Sequence, residues 1–275
     1  PAVGLGATTR VSPHFPLGTS APYIDFEADE TVIKKILTSL AIRINVEFRS
    51  TGVPYVKPST RPLQHPVSMP VIEPFRMAVQ EIARVGPGAQ AAPWVEFLVR
   101  PATCPPESPL SFVQRAYRVH GPEFDLAIAD ECLRQVRHLQ ADARFSINIA
   151  PETLYSARFL DHLLARLEDR AIDPSRLILE IVEFSGAVDA SRAARQLERI
   201  MEAGISLALD DFGPGFSNLD LVAADHIAFI KLDRSLVHDV HRSPSRRRLM
   251  EGLQQLALAT GVSLVAEGVE YPAQL

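Results

Sequence analysis

Six apolar stretches of this chain each carry a polar residue in or just beyond the apolar run. They are "WVEFLV" with Glu96, "FSINIA" with Asn148, "LILEIV" with Glu180, "SLALD" with Asp210 and the following Asp211, "AFIKLD" with Lys231, and "SLVAEG" with Glu267. A single acid at such a position is commonly a helix cap, and Asp173 before Pro174 is read that way, with no function assigned. Six successive stretches doing the same thing are not explained by capping. Carboxylate and amide oxygens are hard ligands, suited to Mg²⁺, Mn²⁺ or Ca²⁺. Adjacent buried carboxylates such as Asp210 and Asp211 repel each other, so a cation is the charge this set lacks. Two cations sharing a carboxylate suit phosphoester hydrolysis, one activating a water while both neutralise charge developing on the phosphoryl group. Asp210 and Asp211 are the natural bridging pair. Lys231, a lysine inside an apolar run, is placed to hold a water or a phosphate oxygen beside metal. Other nucleophile systems are missing from the sequence: it has no GxSxG, no P-loop, no HExxH and no cysteine–histidine pattern.

Those residues need a scaffold that brings strand ends together. After about residue 75 short apolar runs alternate with amphipathic stretches, the pattern of a parallel sheet wrapped by helices. The strands are expected at the six runs above and at "RMAVQEI" before them. Helices are expected at "DLAIADECLRQVRHLQAD", "SARFLDHLLARLEDR", "ASRAARQLERIMEAG" and "RRRLMEGLQQLALATG", with Gly204 and Gly261 as left-handed terminators. The fold class is therefore α/β, a TIM-like (β/α) barrel, in which the C-terminal strand ends converge on one mouth. Residues 1–74 form a separate N-terminal segment. It holds an expected helix over "ADETVIKKILTSLAIR", a strand "INVEF", and a linker with Pro54, Pro58, Pro62, Pro66, Pro70 and Pro74 four residues apart. Proline at that spacing forbids a helix and removes donors from a sheet, so the segment is read as extended.

The net charge of −5 argues against a general nucleic-acid polymer or an acidic membrane as partner, since both need a basic surface. No apolar run reaches the length that spans a bilayer. Cys104 and Cys132 belong to no CxxC or cysteine–histidine cluster, and are read as small buried residues in a protein of the reducing cytoplasm.

The motifs "FSINIAPETL", "LILEIVE", "LALDDFGPGFSNL", "IKLDRSLV" and "LVAEGVEYPAQL", in this order, resemble the EAL-domain family over about residues 75–275. Members are bacterial phosphodiesterases that open cyclic di-GMP to linear pGpG. The resemblance implies that Glu96, Asn148, Glu180 and Asp210 bind one divalent cation, Mg²⁺ or Mn²⁺, and that Asp210, Asp211 and Glu267 surround a second. It implies catalytic roles for Glu96, Asp211, Lys231 and Glu267, with Lys231 near the attacking water. Arg100 is implied to contact the substrate phosphate, and Glu183 to hold the "DFGPGFS" loop. It also implies a barrel whose first strand is antiparallel, and a homodimer. Three departures stand out. "FRMAVQEI" has Met77 and Ala78 where the family has glutamine and proline, so the first strand is modified. Phe97 replaces an alanine, which places it among the expected substrate-side residues and is expected to crowd Glu96. The sequence given stops at Leu275 soon after "AEGVE", so the 75–275 domain is expected to lack its last strand. A receptor that binds cyclic di-GMP or a partner protein without cleaving it is the alternative; retention of every aligned ligand and of Lys231 favours the enzyme.

Overall fold

The computed structural model describes residues 40–43, 72–84, 93–102, 107–181, 189–213, 222, 225–270 and 274. Within them all seven expected strands form: β2 (Phe75–Arg84), β3 (Trp94–Pro101), β4 (Arg144–Ile149), β5 (Leu177–Ile181), β6 (Ser206–Phe212), β7 (Phe229–Leu232) and β8 (Ser263–Ala266). They pair in sequence order as a curled mixed sheet, β2 antiparallel to β3 and the rest parallel. An eighth strand, β1 (Leu40–Arg43), runs parallel to β8 and antiparallel to the C-terminal end of β2, pairing three residues with each. This overturns the helix expected to run through Arg43 at its last four residues. "INVEF" and the prolines from Pro54 to Pro70 lie outside the described residues. The edge of β8, expected to be open, is thus met by β1. Because β1 reaches only Ile82, Ala83 and Arg84 of β2, this pairing closes the sheet near its floor and not along the whole of β2.

Parallel strands covered on both faces read as continuous apolar runs. β5 is the clearest case, with all five residues of "LILEI" buried. Side chains alternate across a strand, so each run divides into an inward and an outward set. Outward residues such as Phe145, Ile147, Leu179, Leu207 and Leu264 join one large core with the helices. Inward residues Ile82, Trp94, Ile178, Ala208 and Val265 form a smaller cluster inside the curl, with Phe229 packed against it. Below it, Arg144 donates to Ser206 Oγ at 3.0 Å and stacks over the Phe229 ring, while the Trp94 indole N–H donates to Ser146 Oγ at 2.9 Å. The interior floor is therefore filled and its polar groups are bonded.

The outer helices are Pro109–His120, Pro122–Gln135, Ala157–Asp169, Ala190–Glu202, Arg234–Val237 and Pro244–Thr260. The Pro109–His120 helix was not anticipated; Ser108 caps it by accepting from Ser111 N, and Phe112 and Ala116, one turn apart, face the core. Gly204 (φ 81°) follows one helix, and Gly261 (φ 71°) caps another as expected. Asp173 accepts from Ser175 N and caps a single 3₁₀ turn, the role read from its sequence position. Cys132 is buried; Cys104 lies outside the described residues.

Candidate metal centre at the barrel mouth

One step above the apolar interior cluster, the inward positions turn polar on every strand from β2 to β8. The register places Gln80 opposite Glu96 and Asn148 opposite Glu180, with Lys231 beside Val265 and Glu267 directly after β8. Two-residue periodicity does this mechanically, since each polar residue stands two positions beyond an inward apolar or small one: Trp94 and Glu96, Ile178 and Glu180, Ala208 and Asp210, Phe229 and Lys231, Val265 and Glu267.

Lys231 is fully buried at the centre of the set. Its Nζ lies 2.7 Å from Asp210 Oδ1, 3.1 Å from Glu267 Oε1 and 3.5 Å from Glu96 Oε2, and it donates to Glu180 Oε2. Glu96 and Glu180 are 1% and 0% exposed, so neither charge is relieved by water. Burial and then the Glu96 carboxylate push the Glu180 carboxyl above the usual range, against the pull of Lys231. For Lys231 burial alone would lower the ammonium, but Asp210, Glu180, Glu96 and Glu267 together raise it well above its ordinary value. One ammonium among four carboxylates leaves the cup strongly negative.

The donor set answers whether a divalent cation fits. Oxygens of Glu96, Glu180 and Asp210 come within 4.8 Å of one another, and oxygens of Asp210, Asp211 and Glu267 do the same. Asp210 belongs to both groups, as a bridging ligand requires. Asn148 Nδ2 donates to Glu96 Oε1 at 3.1 Å, leaving its Oδ1 buried with no hydrogen-bond donor among the described residues; Glu180 Oε1 is in the same position. Buried acceptors without donors are rare and costly, and a hard cation satisfies both at once. The residues fit two such ions.

Consecutive aspartates in a regular strand would face opposite sides. Here the β6–β7 register shifts between Leu209 and Phe212, and Asp211 takes a left-handed φ of 53°. That bulge turns the exposed Asp211 toward the same mouth as Asp210. Nothing in the residue types announces it beyond the tolerance of aspartate for that backbone.

The remaining expected site residues divide. Arg100, half-buried near the end of β3, donates to Val99 O at 2.9 Å, and among the described residues no carboxylate pairs with it. Phe97 requires correction: it faces away from Glu96 into the layer between sheet and helices, 2% exposed and edge-on to Phe145 at 6.3 Å. It therefore neither crowds Glu96 nor contacts a ligand in the mouth. Glu183 and most of the "DFGPGFS" loop lie outside the described residues. Gln80 was missed. It is buried opposite Glu96, and the rule that found the others, a polar residue in an apolar strand, applied to it as well.

Comparison with known proteins bears on the family and the fold. Residues 103–275 match the family model described as "EAL domain". The cyclic di-GMP phosphodiesterase RocR of Pseudomonas aeruginosa is 33% identical over 142 residues, 51% of this chain and 36% of that protein. An uncharacterized signaling protein of Caulobacter vibrioides is 33% identical over 132 residues, 48% of this chain and 16% of its own length. The chain thus spans well under half of these relatives. Among solved structures, a PaMucR phosphodiesterase in complex with c-di-GMP superposes with a TM-score of 0.62 at 26% identity, covering 73% of this chain and 87% of that one. Klebsiella pneumoniae BlrP1, solved as a manganese/cy-diGMP complex, gives 0.60 at 22% identity over 76% of this chain and 53% of its own, a likeness of fold. Among the described residues no helix is long and apolar enough to cross a membrane.

Proposed function

Because the chain belongs to the EAL domain family, we propose that it is a metal-dependent phosphodiesterase that hydrolyses cyclic di-GMP to linear pGpG. The observation that carries this reading is the oxygen cup itself: two overlapping carboxylate groups sharing Asp210, on a floor of packed apolar side chains. Glu96, Asn148, Glu180 and Asp210 would hold one Mg²⁺ or Mn²⁺, and Asp210, Asp211 and Glu267 a second. Bound there, such ions supply Lewis-acid neutralisation of a phosphoryl group and lower the pKa of a water. Lys231 holds the carboxylates together and directs N–H donors toward a water or phosphate oxygen in their midst. Arg100, with no carboxylate partner among the described residues, offers its remaining donors to a phosphate at the rim. The buried walls keep competing water out of the reacting centre, where a charge is worth more than in solvent. Names of the relatives support the substrate class, and the orientation of Phe97 removes the steric argument for a non-cleaving receptor.

The test is direct. Purified protein incubated with cyclic di-GMP and Mg²⁺ or Mn²⁺ should release the linear dinucleotide, resolved by ion-exchange chromatography. Glu96→Ala and Asp210→Ala should release none while remaining folded. Wild-type protein that retains the cyclic dinucleotide intact would establish the receptor reading instead.

A further inference from the structure

Among the described residues, Asp125 is the single carboxylate buried outside the mouth. It sits in the first turn of the Pro122–Gln135 helix, where negative charge is favoured, yet its side chain is spent on another element. Asp125 Oδ2 accepts from Ala150 N at 3.0 Å and from Thr153 Oγ1 at 2.5 Å. Thr153 has given its one proton to Asp125, so in its 3.2 Å contact with Tyr117 the tyrosine hydroxyl donates. Burial pushes the Asp125 carboxyl up to about 7 against the pull of these bonds, and pushes the Tyr117 phenol upward as well.

The place where these bonds land is what matters. β4 pairs with β5 as far as Ile149, so the next N–H, that of Ala150, has left the ladder. Ala150 is two residues past Asn148, whose Nδ2 donates to Glu96 and whose Oδ1 is buried with no donor among the described residues. The turn that follows, Pro151–Tyr155, continues the brace: Tyr155 OH accepts from Asp189 N at 2.9 Å, at the cap of the Ala190–Glu202 helix. A charged acceptor on a buried backbone donor is stronger than a neutral one and fixes the donor more tightly.

We infer that Asp125 is a positioning residue that locks the end of β4, so that Asn148 keeps its Oδ1 aimed at the cation site while its amide holds Glu96. The inference rests on the metal reading given above. Partners standing behind metal ligands commonly change affinity by about 10–100-fold when removed.

The sequence has three asparagines, Asn45, Asn148 and Asn218, so protein labelled with ¹⁵N at asparagine shows only three side-chain amide pairs. Asn148→Asp identifies the pair in question. In metal-free Asp125→Ala that pair should move toward solvent-exposed shifts and lose protection from exchange, and Mn²⁺ affinity by calorimetry should fall about ten-fold or more. Asp125→Asn keeps an acceptor for Ala150 N and should restore both. Should the alanine variant fail to fold, Thr153→Val, which removes one bond of the brace, should shift the same pair to a lesser extent. An Asn148 pair unmoved in a folded Asp125→Ala, or in Thr153→Val, overturns the inference. Wild-type protein that takes up no Mn²⁺ would sink the metal reading alone, because the amide pair judges Asp125 without metal.

Discussion

Replacing Lys231 by methionine removes the one ammonium from the cup while keeping an unbranched chain of similar length. In the metal-free protein three carboxylate oxygens lie at 2.7, 3.1 and 3.5 Å from Nζ, and Glu180 also accepts from it. Breaking a buried ion cluster by removing one partner costs about 3–5 kcal/mol, since charge is left buried without compensation. The low end applies here: carboxylates deprived of Lys231 can take up protons, and Glu180 is already displaced in that direction by its burial. At about 2–4 °C per kcal/mol for a domain of this size, a loss of about 3 kcal/mol lowers Tm by about 6–12 °C. A divalent cation placed among the same oxygens supplies more charge than the lysine did, and in the variant it no longer meets a competing ammonium. Saturating MnCl₂ should therefore narrow the gap between variant and wild type, while leaving the variant without turnover. The assay is calorimetric melting of both proteins in chelator and in Mn²⁺. A variant that melts with wild type in chelator, or a gap that Mn²⁺ does not narrow, refutes the reasoning that Lys231 is the internal counter-ion of this set.

Two further outcomes follow from the geometry. Gly268 has φ +65°, and an added Cβ would lie 2.5 Å from Arg234 Cγ and 2.8 Å from Arg234 Cβ. Gly268→Ala should thus cost about 1–3 kcal/mol in a denaturant melt, and should lower Mn²⁺ affinity as well because Glu267 is the preceding residue. Asp125 provides a pH test, with Glu152 and Tyr117 as its ionisable neighbours: its folded pKa of about 7 stands above its ordinary 3.8. Its contribution to stability is therefore complete below the lower value and is lost as pH rises through the upper one. Between them it makes wild-type stability fall by up to about 1.4 kcal/mol per pH unit. Asp125→Asn cannot titrate, so the unfolding free energy of variant minus wild type should climb from acid to neutral pH and level off above it. Parallel curves in urea melts across that range would show the carboxyl is not buried as described.

What could be read from the sequence is what alternation alone determines. A parallel strand covered on both faces is apolar throughout, so a single glutamate in "LILEI" or a lysine in "AFIKL" stands out, and its inward orientation follows from its neighbours. Gln80 obeys the same rule in the expected strand "RMAVQEI", where it stands among other polar residues, and the register puts it opposite Glu96. Phe97 enters the expected site because it stands where the resembled family has an alanine after the glutamate, but adjacency to Glu96 in a strand puts it on the opposite face. Three features were beyond pattern reading. β1 is four residues long and is stabilised by pairing with β8 and β2, which are distant in sequence. The bulge at Asp211 reflects a register shift between two strands and not a local preference. The Asp125 brace joins a helix to a turn 25 residues further along.

These differences share a physical cause that also bears on the chemistry. The floor of the curl is set by volume: Trp94, Phe229, Ile178 and Val265 fill it, and apolar packing specifies size more than identity. The layer above is set by charge, and charge cannot be judged one residue at a time. Glu180 is costly by itself, tolerable with Lys231, and on the proposed reading would be matched once a divalent cation joined Asn148 Oδ1 and its own Oε1. Four carboxylates around one buried ammonium therefore cost the folded chain stability, which on the proposed reading a bound cation would recover. Two hydrogen bonds, from Asn148 to Glu96 and from Ala150 N to Asp125, offset part of that cost by bracing Glu96 and the end of β4. In the proposed enzyme a site braced in this way would not have to reorganise when an ion or a substrate phosphate binds.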